Sequence, residues 1–137
     1  ESFAGYAFAK GHSASYAVES FQSLYLKAHY PLEYLTATLN NGGGFYRKSV
    51  YLREAKRLGA HVEPPCVQNG GWNYRLRGTS LFVGFSQISG VDEKFCQSIE
   101  KERDKGDLFT SLIDFIDRMQ SPQKPIPLES LLLLIRI

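Results

Sequence analysis

The sequence predicts a mainly α-helical chain that carries one small β-hairpin. Three observations lead there. Apolar residues recur at three- and four-residue spacing over residues 13–27 and 46–58, which is the period of a helix with one apolar face. Between the helical stretches, residues 73–77 and 80–85 alternate or cluster in strand fashion around Gly78-Thr79. Helical character then returns over residues 92–105 and 111–119 and from residue 128 to the end. The 137 residues suffice for one domain or for two small modules sharing a modest core. A hydrophobic content of 43% with 22% charged residues sets the chain among ordinary globular proteins rather than disordered ones.

In the first helix Ala17, Phe21, Leu24, Tyr25 and Ala28 share a face. Gly11 and Ser13 stand where its N-terminus and cap would be, and Pro31 stops its continuation. Residues 32–40 form a shorter helix opening on Pro31, as first-turn prolines do. Asn40-Asn41-Gly42-Gly43-Gly44 breaks it, and the glycine run, with residues 121–127, is a candidate for local disorder. The third helix presents Val50, Leu52, Ala55 and Leu58 as apolar, with Gly59 as its stop. Arg47, Lys48, Arg53, Lys56 and Arg57 make it the most basic element. His61-Val62-Glu63 reads as a short strand running into a rigid Pro64-Pro65 connector. In residues 92–105, Phe95, Cys96 and Ile99 face inward, while Glu100, Lys101, Glu102, Arg103 and Asp104 are expected to face water.

Composition excludes more than it proposes. Sixteen basic against fourteen acidic residues give a net charge of +2, too small to announce a nucleic-acid binder. Cys66 and Cys96 lie in different segments without metal-ligand spacing, and two buried thiols of a reduced protein are the expectation. The acidic residues are scattered, with no Asp-x-Asp, so no pair stands ready to hold catalytic magnesium. No signal peptide, lipidation motif or bilayer-length apolar run is visible, which gives a cytoplasmic expectation and no membrane partner. The chain starts at Glu1 and stops within the apolar run 131–137, so it reads as a piece excised from a longer protein.

The segment Phe3-Ala4-Gly5-Tyr6-Ala7-Phe8-Ala9-Lys10-Gly11-His12-Ser13-Ala14-Ser15-Tyr16-Ala17 resembles the fingers motif of bacterial DNA polymerase III alpha subunits. That family typically writes Phe-x-Gly-Tyr-Ala-Phe-Asn-Lys-Ser-His-Ala-Ala-Ala-Tyr-Ala. The likeness continues through Leu26-Lys27-Ala28-His29-Tyr30-Pro31-Leu32-Glu33-Tyr34 and through Glu54-Ala55-Lys56-Arg57-Leu58-Gly59 to Pro64-Pro65. Gly84-Phe85 to Ile88-Ser89-Gly90-Val91 then resembles the family's entry into a helix-hairpin-helix. The resemblance implies fingers helices followed by a helix-hairpin-helix module: residues 1–60 as the C-terminal part of the fingers, 61–86 as connector and hairpin, and 87–137 as a DNA-binding region cut short at its end.

What the resemblance implies for chemistry is a nucleotide triphosphate site at Lys10, Gly11, His12 and Tyr16. A lysine point charge, a histidine donor and backbone N–H groups around Gly11 and Ser13 suit a triphosphate whose leaving group gains charge. Taken alone, Lys-Gly-His is more often a capped helix start with a solvated lysine; the flanking motif favours the phosphate reading. Two positions depart from the family, Ala9 for asparagine and Gly11 for serine.

The second implied site is the DNA-binding hairpin at Gly90, Val91 and Asp92 with Lys94. Such hairpins aim backbone N–H groups at one DNA phosphate without reading bases. The usual second glycine is Asp92 here, which suits a helix cap but sets a carboxylate beside the phosphate position. Lys94, Lys101 and Lys105 would offset that charge if a duplex lay along their face. Arg47, Lys48, Arg53 and Lys56 would track a nucleic-acid backbone or simply face water. For Phe45, Tyr46 and Trp72, core or loop packing is favoured over base stacking.

The expected function is therefore that of a polymerase piece that helps position the incoming nucleotide and bind template-primer DNA. Its expected partners are deoxynucleoside triphosphate, DNA, the rest of the polymerase chain and the replication holoenzyme subunits. The family's magnesium-binding carboxylates would lie in the palm, upstream, which leaves this chain without a cofactor and catalytically inert by itself. A stand-alone helix-hairpin-helix module of a repair or recombination protein is the alternative, and a protein-interaction scaffold the third possibility.

Overall fold

A computed structural model describes residues 10–121 and 125–136. Six α-helices are seen among them: α1 (Lys10–His29), α2 (Pro31–Asn40), α3 (Lys48–Arg57), α4 (Glu93–Lys105), α5 (Leu112–Met119) and α6 (Leu128–Ile135). A three-stranded sheet, β1 (His61–Glu63), β2 (Arg75–Arg77) and β3 (Ser80–Phe82), lies between α3 and α4, followed by a single 3-10 turn at Phe85–Gln87. The mainly helical class with a small hairpin is borne out. The strand at His61–Glu63 does more than lead into a connector. It joins the hairpin as a third strand, in the order β1-β3-β2, with β1 parallel and β2 antiparallel to β3.

Pairing brings Val62 and Leu76 to either side of Leu81, which is buried at the middle of the sheet. Leu35 and Leu39 of α2 and Ala55 of α3 pack with Ala60, Tyr74 and Leu81 to form the first core. That core spans helices and sheet together, so α2 and α3 share their interior with the strands that follow. The Asn40 side chain ties the two parts: its Nδ2 donates to the Tyr74 carbonyl at 2.9 Å, and its Oδ1 accepts from the Tyr74 N–H at 2.8 Å. A residue read from sequence only as a helix breaker thus completes the backbone pairing of a strand edge.

The second core gathers Phe95 and Ile99 of α4 with Phe109 and Phe115, and α6 covers it with Leu131 and Leu134. Phe109 and Phe115 meet edge to face at 4.9 Å, and the Arg118 guanidinium lies 4.4 Å over the Phe109 ring. Ser111 caps α5 by accepting from the Asp114 N–H at 3.0 Å.

Three expectations are corrected. The Ser13 cap is not formed, because the chain is helical from Lys10 through Ser13 onward. The apolar face of α1 is exposed, with Phe21 at 74% and Leu24 at 65%, because α2 is its one substantial packing partner among the described residues. Arg103 is buried rather than facing water, and Glu100 is partly buried beside it. Helical period identifies which residues share a face, not what another segment will lay against it.

Arg103 Nη1 donates to the carbonyls of Val67 and Gly70 at 2.8 and 2.9 Å. Among the described residues its Nε and Nη2 meet no hydrogen-bond acceptor, and Asp104 Oδ1 stands 3.9 Å from Nε. Burial, with the neighbouring Arg75 second, pulls the guanidinium below its ordinary pKa, yet an arginine remains a cation at neutral pH. One turn back, Glu100 accepts from the Trp72 N–H at 2.7 Å and pairs with Arg75 at 3.0 Å. Cys96 is fully buried, and burial pushes its thiol up to about 12, whereas Cys66 is only half-buried. Both cysteines are free.

Removing the arginine would leave two inward carbonyls without their donor and a cavity beside α4. Arg103→Ala is expected to lower the unfolding free energy by about 2–4 kcal/mol, measured by urea denaturation. A change below about 0.5 kcal/mol would show that the side chain contributes little.

Candidate nucleic-acid interface

The hairpin joins the 3-10 turn to α4. Gly90 sits in the left-handed region at φ +86°, which turns the chain sharply after Ser89 and favours glycine there. Ser89 and Gly90 are exposed, and among the described residues their backbone N–H groups meet no acceptor. Asp92 then caps α4, its Oδ1 accepting from the Phe95 N–H at 2.6 Å. The capping role expected of this aspartate is present.

The Asp92 backbone N–H is not available to an anion. It donates to Ser130 Oγ at 2.9 Å, and Ser130 is buried at 2% exposure. Close by, Leu133 of α6 lies 3.6 Å from where a Cβ on Gly90 would project. The last helix therefore supports the hairpin from behind, through one hydroxyl and one leucine. Ser130 was missed from sequence. Its signal is a single serine inside Leu128-Glu129-Ser130-Leu131-Leu132, since a lone hydroxyl on a packed apolar helix needs a partner.

Around the hairpin the exposed charges are mixed. Asp92 and Glu93 stand beside Lys94, and Glu93 is engaged by Gln97 Nε2 at 2.9 Å. Further along α4, Lys94, Lys101 and Lys105 are all exposed and fall within one narrow stripe, since steps of seven and four residues return to the same helical face. The stripe runs about 16 Å away from the hairpin. Lys105 approaches Glu102 at 3.7 Å, while the structure places Arg103 on the opposite, buried side.

The implied triphosphate site is described in part. Ala9 and the preceding motif residues lie outside the described residues, as does the Lys10 side chain. Gly11, His12 and Tyr16 occupy the first described turns of α1 and are exposed. His12 and Tyr16 come together edge to face, with ring centroids 4.5 Å apart, as a one-turn spacing allows. Ser15 Oγ donates to the Gly11 carbonyl at 3.0 Å. The basic face of α3 is largely solvated: Arg47, Arg53 and Lys56 are exposed, and Lys48 donates to Gln87 Oε1 at 3.0 Å. Among the described residues no group of three or more His, Cys, Asp or Glu side chains could hold a metal ion. No described helix is long and apolar enough to cross a membrane.

Residues 59–136, from the end of α3 to α6, match the family model for the helix-hairpin-helix motif. The chain belongs to that family. It is 38% identical over 120 residues to the DNA polymerase III subunit alpha of Thermus aquaticus, a match covering 87% of this chain and 10% of the relative. It is likewise 38% identical to the subunit of Escherichia coli K12 over 120 residues, covering 86% of the chain and 10% of that protein. The error-prone DNA polymerase of Bdellovibrio bacteriovorus is 38% identical over 128 residues, covering 90% and 12%. The chain thus spans about a tenth of the length of the curated relatives it matches. The family recognised from the residue 3–17 motif and its continuation is borne out: this helix-hairpin-helix chain matches a segment of DNA polymerase III alpha subunits.

The Asp92 N–H to Ser130 Oγ bond ties the hairpin to α6. Ser130→Ala removes the acceptor for a part-buried N–H and is expected to cost about 1–3 kcal/mol. Amide exchange should report it as faster exchange at Asp92 and its neighbours; unaltered exchange there would show that α6 does not support the hairpin.

Proposed function

We propose that this chain holds the DNA backbone for a DNA polymerase III alpha subunit, through the hairpin before α4 and the lysine stripe behind it. The observation that carries this reading is the exposed Ser89-Gly90 turn, whose two N–H groups meet no acceptor among the described residues, at the start of that stripe. Backbone N–H groups on a tight turn suit one phosphate, and lysines at helical spacing suit the phosphates that follow along the strand. Neither element presents a side chain arranged to read a base edge, so the binding is independent of sequence.

Asp92 weakens the grip without removing it. Its carboxylate is bound to the Phe95 N–H, which directs part of its charge into the helix start, but the residue stays exposed next to the phosphate position. Affinity consequently depends on the lysines more than on the turn.

The same reading extends to the start of α1. Lys10, Gly11, His12 and Tyr16 contribute to the triphosphate site of the complete enzyme, supported by the motif resemblance and by the His12–Tyr16 contact. Nucleotidyl transfer itself requires carboxylates and magnesium supplied by other parts of the polymerase, and no step of it is assigned to residues of this chain. The chain alone is inactive in synthesis.

Two measurements test the two halves. Duplex binding should weaken when Lys94, Lys101 and Lys105 are replaced together by alanine, and the salt dependence should flatten by about 0.9 in log–log slope for each phosphate no longer neutralised. Asp92→Asn, which keeps the cap and removes the charge, should tighten binding several-fold. Unchanged affinity in both variants would remove this face from the interface. For the nucleotide half, Lys10→Ala in the full-length polymerase should raise the nucleotide concentration needed for half-maximal synthesis by about ten-fold or more. An unaltered nucleotide dependence would take Lys10 out of the site.

A further inference from the structure

The turn between α2 and α3 is built to display an aromatic ring. Gly42 and Gly43 both adopt left-handed backbone, with φ +88° and +86°, and the Gly43 N–H donates to the Thr38 carbonyl at 2.9 Å. Gly44 passes directly over the Tyr51 phenol, where a Cβ would collide with the hydroxyl oxygen. The Tyr51 hydroxyl in turn accepts from the Tyr46 N–H at 3.3 Å. The glycine run is therefore an anchored turn. What it projects is Phe45, 94% exposed, and Tyr46, 60% exposed. Core packing is not found for either residue, because the turn carries them away from the core; Tyr46 packs within the loop against Phe45 and Tyr51.

Phe45 touches Tyr46 edge to face, with centroids 5.3 Å apart and planes at 88°, so a ring face remains open to solvent. Beneath it lies a cleft of about 550 Å³, whose lining includes Lys27, Tyr34, Phe45, Tyr46, Tyr51 and Glu54. Arg47, next in the chain, is exposed, and Lys27 supplies a second positive charge. The acid of the cleft, Glu54, is already paired with Arg57 at 3.0 Å. Aromatic faces beside cations are what an unpaired nucleobase and its phosphate require, since every base has a stacking face and every linkage a negative charge. The cleft's lining is more aromatic than aliphatic, with Tyr34, Phe45, Tyr46 and Tyr51 against Leu35 and Val50.

We propose that Phe45, held out by the Gly42-Gly43-Gly44 turn, stacks an unpaired nucleobase of a single-stranded nucleic acid, with Arg47 holding the adjacent phosphate. This rests on the nucleic-acid role above but uses a different surface and a different form of DNA. The hairpin takes duplex backbone; the aromatic turn takes a single strand where bases are free to stack.

The test measures binding of the 137-residue chain at low salt to three probes: a thymidine oligonucleotide, an abasic oligonucleotide of the same length and a duplex. Phe45→Ala should weaken binding of the thymidine strand about ten-fold, and Phe45→Trp should restore it. The abasic strand should bind the unsubstituted chain as weakly as the thymidine strand binds Phe45→Ala, and duplex affinity should not move. Equal affinity for thymidine and abasic strands, an unchanged Phe45→Ala, a loss shared equally with duplex, or no single-strand binding at all would each overturn the proposal. Absence of duplex binding by the unsubstituted chain, with single-strand binding present, would instead count against the hairpin and its lysines.

Discussion

The fold depends on the grip that α4 takes on the segment between Cys66 and Trp72. Glu100 accepts the Trp72 N–H and pairs with Arg75, and Arg103 donates to the carbonyls of Val67 and Gly70. That segment has no helix or strand of its own and one internal turn bond, from the Gly70 N–H to the Cys66 carbonyl at 2.7 Å, so most of its backbone groups need partners from outside. Gln68 adds a third tie by bonding both the N–H and the carbonyl of Phe109. With the segment held, the sheet-centred core on one side and the aromatic core on the other become parts of one structure. Two charges on one helix turn fix the hairpin's position relative to the sheet.

Burying an arginine with two of its nitrogen atoms lacking a hydrogen-bond acceptor among the described residues is expensive, and hydrophobic packing in its place would often stabilise more. Its value here is directional. Two carbonyls that point inward need a donor with fixed geometry, and a guanidinium supplies it where an aliphatic side chain would leave both unmet.

The proposed nucleic-acid contacts are divided among surfaces of different chemistry. The hairpin offers backbone donors compromised by Asp92, the lysine stripe offers charge, and the Phe45 turn offers a stacking face. If the hairpin holds a phosphate as proposed, the aspartate trades folding against binding: its oxygen caps α4 well, while its charge would disfavour a phosphate at the same point.

By itself the sequence determined the elements and the family. Apolar period located the helices to within a few residues, the Gly78-Thr79 signal located the hairpin, and the residue 3–17 motif named the relatives, because all three are local patterns. The inward faces of α4 at Phe95, Cys96 and Ile99 were equally legible. Tertiary structure alone decided the rest. It paired β1 with β3, buried Arg103, spent the Asp92 N–H on Ser130, left the face of α1 exposed and projected Phe45 into solvent. Each of these depends on what a segment distant in the chain, or none, lays against the residue. The resemblance to a helix-hairpin-helix was in the sequence; which of its donors remain available to DNA was settled only when α6 folded back behind the hairpin.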